Sequence, residues 1–227
     1  MKNLLLVIFT CTALISCSKK YNTQLTGTIS GLSKGNIYLQ KIIDTSLVTL
    51  DSIKVNGSNQ FDFNFNLEEA DVYYLYLDKN DGSEFNDRLE VFLQPGELKF
   101  YSKVYEFKSA SKISGSPNHQ KLVDYKNMMT NFNKDDFTFN KLDLVAQKTD
   151  NKKFSEAILS DYKRHEKRKY LYTINYALQN KDLEIAPYLA VTQIPNANKK
   201  YLDTIYNSLS PSIKNSKYGK KLAELVK

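Results

Sequence analysis

The sequence predicts an α+β protein, with an N-terminal antiparallel β-sandwich or curved sheet followed by a C-terminal helical module. Two observations support this fold class. Residues 22–113 contain short segments of alternating apolar and polar residues, separated by Gly-, Asn- and Pro-containing turns. From residue 114 onward, apolar residues recur every three or four positions, as they do along one face of a helix. We therefore expect a β module at residues 22–113 and a helical module at residues 114–227.

Eight segments predict strands. In one of them, three phenylalanines alternate with polar residues, so that one face is apolar and the other is wet, and Leu89, Val91 and Leu93 repeat the pattern. Gln94–Glu97 suits a type II turn, because proline presets φ at its second position and glycine accepts positive φ at its third. The eight segments are QLTGTIS, NIYLQK, LVTLDSIKV, QFDFNFN, VYYLYLD, RLEVFLQ, ELKFYSK and SASKIS.

The helical module is predicted to begin with Ser116 as N-cap and Pro117 at the first helical position. Four apolar residues then share one face of this helix, namely Leu122, Tyr125, Met129 and Phe132. We expect residues 125–139 to be a helix followed by a loop. Later helical patterns cover residues 152–180, 185–194, 199–209 and 218–226, with Pro187, Pro195 and Pro211 at their starts or breaks.

The N-terminus has the features of a secretory signal. Lys2 precedes an apolar stretch from Leu4 to Ile15 that is short for a membrane span of about 20 residues. Residues 14–17, Leu-Ile-Ser-Cys, resemble the lipobox of bacterial lipoproteins. We therefore expect residues 1–16 to be a cleaved signal peptide, Cys17 to be lipidated, and residues 17–21 to be a tether. The alternative is an uncleaved anchor helix with an incidental cysteine.

The expected lipid anchor at Cys17 places the protein in the bacterial cell envelope. No acidic cluster follows Cys17, which favours the periplasmic side of the outer membrane. Cys11 would leave with the signal and Cys17 would be alkylated, so the mature chain would have no thiol for disulfide exchange. The net charge of +7 falls to +6 when Lys2 is removed. In this compartment it indicates a solvated surface and not a nucleic-acid partner.

Motifs for catalysis or metal binding are weak. Residues 31–35 match G-x-S-x-G, but a strand follows where a nucleophile elbow needs a helix, so Ser33 is expected in a turn and not as a nucleophile. His119 and His165 are 46 residues apart and belong to no metal-binding motif. We expect surface or helix-packing histidines, no metal and no cofactor.

Two surface features each leave two interpretations open. The basic run KRHEKRK at residues 163–169 could touch anionic lipid headgroups, or it could be the solvated face of a long helix. Tyr74 and Tyr76 should lie on the strand face opposite Tyr73, as a binding surface or as cross-strand packing.

Several short stretches resemble the N-terminal region of envelope-anchored thioredoxin-like thiol-disulfide oxidoreductases. These stretches are residues 27–32, 48–65 with Asp51-Ser52, 92–96, 113–116, 209–211 and 215–220. The resemblance implies a domain of unknown function plus a helical connector. In that family the last stretch leads into a redox domain with Cys-x-x-Cys, whereas this sequence ends at Lys227. We therefore expect no redox domain and carry over no catalytic residue.

Three functional hypotheses follow from these observations. The first, which we favour, is a membrane-anchored, non-catalytic lipoprotein that binds or scaffolds another envelope protein, such as a separately encoded redox partner. Its contact surface is expected within residues 125–139 or 201–218. The second is a small-ligand binding lipoprotein, which requires a partly apolar pocket between the modules. The third, an enzyme using Asp135, Asp136 or a lone serine, lacks a base or a metal.

Overall fold

The computed structural model describes residues 21–83, 86–149 and 151–227. Cys17 and residues 1–16, the predicted signal peptide, lie outside the described residues. Eight strands are followed by six helices, which confirms the predicted α+β class. The strands are β1 (Thr23–Ser30), β2 (Lys34–Ile43), β3 (Ser46–Asn56), β4 (Gln60–Phe65), β5 (Asp71–Asp78), β6 (Asp87–Leu93), β7 (Gly96–Lys103) and β8 (Lys112–Ser114).

The strands form two four-stranded sheets with the orders β4-β1-β7-β8 and β3-β2-β5-β6. Five of the described strand pairs are antiparallel, and β1 pairs with β7 in parallel. The inner faces of the two sheets share one apolar core, with Leu25, Phe63 and Leu98 from the first sheet and Leu39 and Leu75 from the second. The module is therefore a β-sandwich.

The alternation of residues along the strands explains this core. In β4, Phe61 and Phe63 are buried while Asp62 and Asn64 are exposed, as the sequence pattern predicts. Gly96 begins β7 with a φ of 125°, which only glycine adopts readily, so the turn after Pro95 depends on it.

The helices begin directly after β8. Ser116 caps the first of them, since its side chain accepts a hydrogen bond from the His119 backbone N–H, and Pro117 occupies the first turn as predicted. The helices are α1 (Pro117–Lys148), α2 (Lys152–Gln179), α3 (Ile185–Gln193), α4 (Lys199–Ser208), α5 (Pro211–Lys214) and α6 (Lys217–Val226). Among the described residues, no helix is both long and apolar enough to cross a bilayer.

One expectation about α1 is wrong. Residues 125–139 do not end in a loop but belong to a helix that continues to Lys148. Asn131, Asn133 and Lys134 give this stretch a polar sequence, yet Phe132 and Phe139 pack against α2. Contacts with the second helix therefore stabilise a segment whose own sequence does not indicate a long helix.

The helical module covers part of the outer face of the second sheet. Phe92 of β6 packs in one cluster with Leu122 of α1, Leu189 of α3 and Tyr218 of α6. A second apolar cluster, with Ile205 among its members, holds α2 to α6 together. The β-sandwich and the helices near it thus form a continuous body.

Candidate functional site

The most prominent feature outside this body is a helical arm, which we define as residues 130–169 of α1 and α2. The apolar clusters that hold the body together include α1 residues no later than Met129 and α2 residues no earlier than Tyr170. At about 1.5 Å per residue, the roughly 20 residues that each helix contributes extend about 30 Å. The arm therefore presents a long surface that packing against the body does not use.

An aromatic cluster around His165 holds the two helices of the arm together. The His165 ring lies 5.6 Å from Phe132, 5.3 Å from Phe139 and 6.4 Å from Tyr162, measured between ring centroids. His165 is buried, which confirms a helix-packing histidine. Buried Ala146 and Ile158 lie nearer the tip of the arm.

Asp136 links this aromatic cluster to the positively charged side chain of Lys169. One carboxylate oxygen, Oδ1, lies 2.8 Å from His165 Nε2, and Oδ2 accepts a hydrogen bond of 2.8 Å from Lys169 Nζ. Burial alone would raise the pKa of Asp136, but Lys169 and His165 outweigh that effect and lower the pKa. The ion pair raises the pKa of Lys169. Asp136 is therefore an ionised carboxylate that links α1 to α2.

The spacing of residues in the sequence did not reveal the contact between Asp136 and His165, because the two residues lie on different helices. Asp136, His165 and Glu166 bring three atoms that could ligate a metal within 4.8 Å of one another. A cation there would have to displace Lys169 from Asp136. Asp135, the other acid considered for catalysis, has a side chain that is 60% exposed and lies 3.8 Å from His165 Nδ1. The geometry indicates a structural ion pair.

The outer surface of the arm carries exposed apolar side chains. Phe137 is 67% exposed, and Leu144, two helical turns further on, is 58% exposed. Val145 and Leu159 are each at least half exposed. We call these four residues the exposed apolar residues of the arm. Phe137 and Leu144 share one side of α1, because seven residues make about two helical turns, and exposed apolar residues that lie close together mark interaction sites.

The predicted basic run lies on the same arm. Lys163, Arg164, Lys167 and Arg168 are exposed on α2, whereas His165 points into the seam between the helices. Arg164 pairs with Asp161 one turn earlier, and Lys169 pairs with Asp136. Most of the run is thus a solvated helix face, which places exposed cations on α2.

The remaining candidate residues are dispersed. Ser33 is exposed in the connection between β1 and β2, and a strand follows it, as predicted. His119 is buried at the start of α1, where its Nδ1 accepts a hydrogen bond from the Phe92 backbone N–H. Burial and the nearby Lys126 lower the pKa of His119 to about 4. Ser33 therefore belongs to a turn, and His119 connects the start of α1 to β6.

The tyrosines of β5 alternate as expected. Tyr73 faces the core, and Tyr76 lies on the other face against Tyr38, 5.5 Å between centroids, with the Arg88 guanidinium 5.0 Å from its ring. This arrangement corresponds to cross-strand packing. In the segment 201–218, Tyr201 is 39% exposed but Tyr218 is buried.

An open cleft between the modules measures about 470 Å³. Its walls include Glu68, Gln94, Asn118, Glu184 and Ser216. The Asn118 amide donates hydrogen bonds to Gln94 and Glu184, and its Oδ1 accepts one from the Ile185 backbone N–H. Asn118, Gln94, Glu184 and Ile185 thus already bind one another, and they connect the turn after β6, the start of α1 and the start of α3.

Comparisons with known proteins bear on the β-sandwich. Residues 23–122 match the family model of a domain of unknown function (DUF4369). This match spans all eight strands and the first turns of α1. It agrees with the expectation of a domain of unknown function in the N-terminal region. No curated protein matches the chain.

Among solved structures, sea bream transthyretin in complex with thyroxine is similar to this chain. The two are 14% identical, with a TM-score of 0.28, over 42% of this chain and 98% of that one. At this TM-score the similarity carries no argument about fold or ligand.

Proposed function

We propose that this chain is a lipoprotein of the bacterial cell envelope, anchored through Cys17, that acts as a non-catalytic protein-binding or scaffolding module. The observation that carries the proposal is the set of exposed apolar residues of the arm, namely Phe137, Leu144, Val145 and Leu159. The arm extends from the body and carries these residues together with exposed cations. We expect a partner with an apolar groove bordered by acidic residues.

The architecture of the arm supports binding over mere spacing. A spacer needs only length, which a polar linker supplies. Here the seam between the helices contains a buried histidine, an ion pair and aromatic rings in tilted and edge-on contact, which together keep the two helices in register. A register of this kind presents Phe137 and Leu144 in fixed positions, and a preorganised surface lowers the entropic cost of binding.

We propose that the partner is a separately encoded redox protein of the envelope. The resemblance to the N-terminal region of thioredoxin-like oxidoreductases favours this class of partner. The described residues contain no cysteine, and disulfide exchange requires a reactive thiolate. A small-ligand binding role is the alternative.

Lipid anchoring can be tested by metabolic labelling with a fatty acid. The wild-type chain should be labelled and remain with membranes after cell breakage, whereas Cys17→Ser should not be labelled. A labelled Cys17→Ser variant would contradict anchoring at Cys17, and so would an unlabelled wild type.

Partner binding can be tested by photo-crosslinking in cells. A photoreactive phenylalanine analogue at Phe137 or Leu144 should capture the same protein, and Phe137→Glu should abolish capture from position 144. Tyr105, an aromatic residue of the β module that is 89% exposed, is the matched control position.

Equal capture from Tyr105 would show that the arm is not the binding surface. If neither arm position captures a protein, while a small molecule raises the melting temperature of the purified chain, the ligand-binding alternative replaces this proposal.

A further inference from the structure

The hairpin of β2 and β3 ends in an unusually apolar tip. Five aliphatic residues within nine positions are between 37% and 49% exposed, namely Ile42, Ile43, Leu47, Val48 and Leu50. β3 is an edge strand of its sheet, and its residues from Ser46 to Ser52 are all exposed. We call residues 42–50 the hairpin tip.

Both faces of the tip are apolar. Ile42 pairs with Leu47, and Lys41 pairs with Val48, in the antiparallel register. Paired residues share a face and successive residues alternate, so Ile42 and Leu47 lie on one face while Ile43 and Val48 lie on the other. Docking of a single protein strand or helix would cover one face only. Apolar residues on both faces are instead suited to a lipid environment, which would surround the tip on all sides.

The tip lies at the end of the sandwich where the described chain begins. β1 runs away from Asn22 and β2 returns, so the end of β2 lies at the same end as the start of β1. Side-chain contacts agree with this placement. Asn22 bonds to the backbone of Leu67, and Asp71, four residues later, forms a 2.7 Å ion pair with Lys41 at the base of the tip.

The position of Cys17 limits how far this end can be from a membrane. The five residue steps from Cys17 to Asn22 span at most about 18 Å when fully extended. If Cys17 carries the lipid anchor of the proposed function, on which this inference rests, then the end of the sandwich that holds the tip stays close to the bilayer.

We propose that the hairpin tip is a second membrane contact, in which Ile42, Ile43, Leu47 and Val48 enter the headgroup region of the bilayer that holds the lipid anchor. Asp44 and Thr45 form the polar turn of the hairpin and restrict entry to this shallow depth. Tyr21, which is 40% exposed at the same end, suits the membrane interface. Two contacts fix the orientation of the chain on the membrane, which a single anchor point does not.

The test uses the full lipidated chain in phosphatidylethanolamine and phosphatidylglycerol vesicles. Ser46→Cys, in the tip, and Ser33→Cys, at the opposite end of the sandwich, are matched exposed positions for an environment-sensitive fluorophore. Nitroxide-labelled lipids should quench the fluorophore at position 46 at least threefold more than the one at position 33. Adding Ile42→Thr and Leu47→Thr, which keep the strand propensity, should remove most of that difference.

Equal quenching at the two positions would overturn the inference, provided that the chain floats with the vesicles. A blue-shifted but unquenched fluorophore at position 46 would mean that protein covers the tip, as in pairing of two β3 edges, and would also overturn it. Failure of the chain to float would refute the anchor at Cys17 itself, and the inference with it.

Discussion

The side chains of Asp71 and Tyr218 share a hydrogen bond of 2.5 Å, although the residues are 147 positions apart. Asp71 begins β5 and Tyr218 lies in α6, so this bond joins the two modules. Lys217 and Lys41 also donate to the Asp71 carboxylate, at 2.5 Å and 2.7 Å. Burial would raise the pKa of Asp71, but the bonds from Lys217, Lys41 and Tyr218 outweigh it and lower the pKa.

Replacing Asp71 by Asn should lower the free energy of unfolding by about 3 kcal/mol, because two lysines lose their shared counter-ion at a buried position. Because the folded-state pKa lies below 3.8, the contribution of Asp71 is present above that pH and is lost as the pH falls further. Urea unfolding of the wild type and of Asp71→Asn at pH 7 measures the decrease in stability caused by the substitution.

Asp62→Asn is the matched control for Asp71→Asn. Asp62 is exposed on β4, and its removal should change the free energy of unfolding by less than about 0.5 kcal/mol. Equal effects of the two substitutions would show that Asp71 does not join the modules.

His119 should make stability depend on pH between about 6.5 and 4. The folded-state pKa is lowered to about 4 from 6.5, so the unfolded chain takes up a proton in this range before the folded chain does. The contribution of His119 is complete above pH 6.5 and is lost as the pH falls to 4, by up to about 3 kcal/mol. Urea unfolding at several pH values measures this slope.

His119→Gln keeps an acceptor for the Phe92 backbone N–H but does not titrate. Its free energy of unfolding should decline less between pH 6.5 and 4 than that of the wild type. Parallel curves for the two proteins would contradict the assignment.

Asp136 and Asp135 are adjacent in sequence, but replacing them should affect hydrogen exchange in the arm differently. Asp136→Ala removes the partner of buried His165 and of Lys169, so amide hydrogen exchange within residues 130–169 should speed up about tenfold. Asp135→Ala, at an exposed position, should change exchange less than twofold. If both variants behave alike, the seam of the arm does not depend on Asp136.

Gly219 is required by close packing in α6. An added Cβ would lie 2.0 Å from the Ile213 carbonyl oxygen, and backbone atoms cannot easily move aside. Gly219→Ala should therefore destabilise the protein by more than about 2 kcal/mol, although alanine favours helices by about 1 kcal/mol. Lys220→Ala, an exposed change in the same helix, should have little effect on the melting temperature. A Gly219→Ala variant as stable as the wild type would contradict this packing.

Local patterns predicted most of the fold. The alternation around Phe61 and Phe63 identified a strand, and Ser116 with Pro117 identified the start of α1, because both signals depend on neighbouring residues. The parallel pairing of β1 with β7 was not predicted, since strand patterns do not specify distant partners. The length of α1 was missed because its distal half depends on α2 for burial.

The candidate site was harder to predict. The histidine and the acid of the arm were each noticed, but the contact between His165 and Asp136 joins two helices and has no sequence spacing. Phe137 stands in a polar stretch, and only the placement of α2 shows which face of α1 remains uncovered. The Asp71 network likewise joins three elements distant in sequence.

The parallel pairing of β1 with β7 also governs the order in which the sandwich can fold. β1 is an inner strand of its sheet, and the partners of Leu25 are Phe63 on one side and Leu98 on the other. The second pairing closes a loop of about 70 residues, and a large loop makes closure slow and entropically costly. During synthesis, β1 therefore keeps one unpaired edge until β7 has been made. In that interval, nascent chains are open to strand exchange with one another.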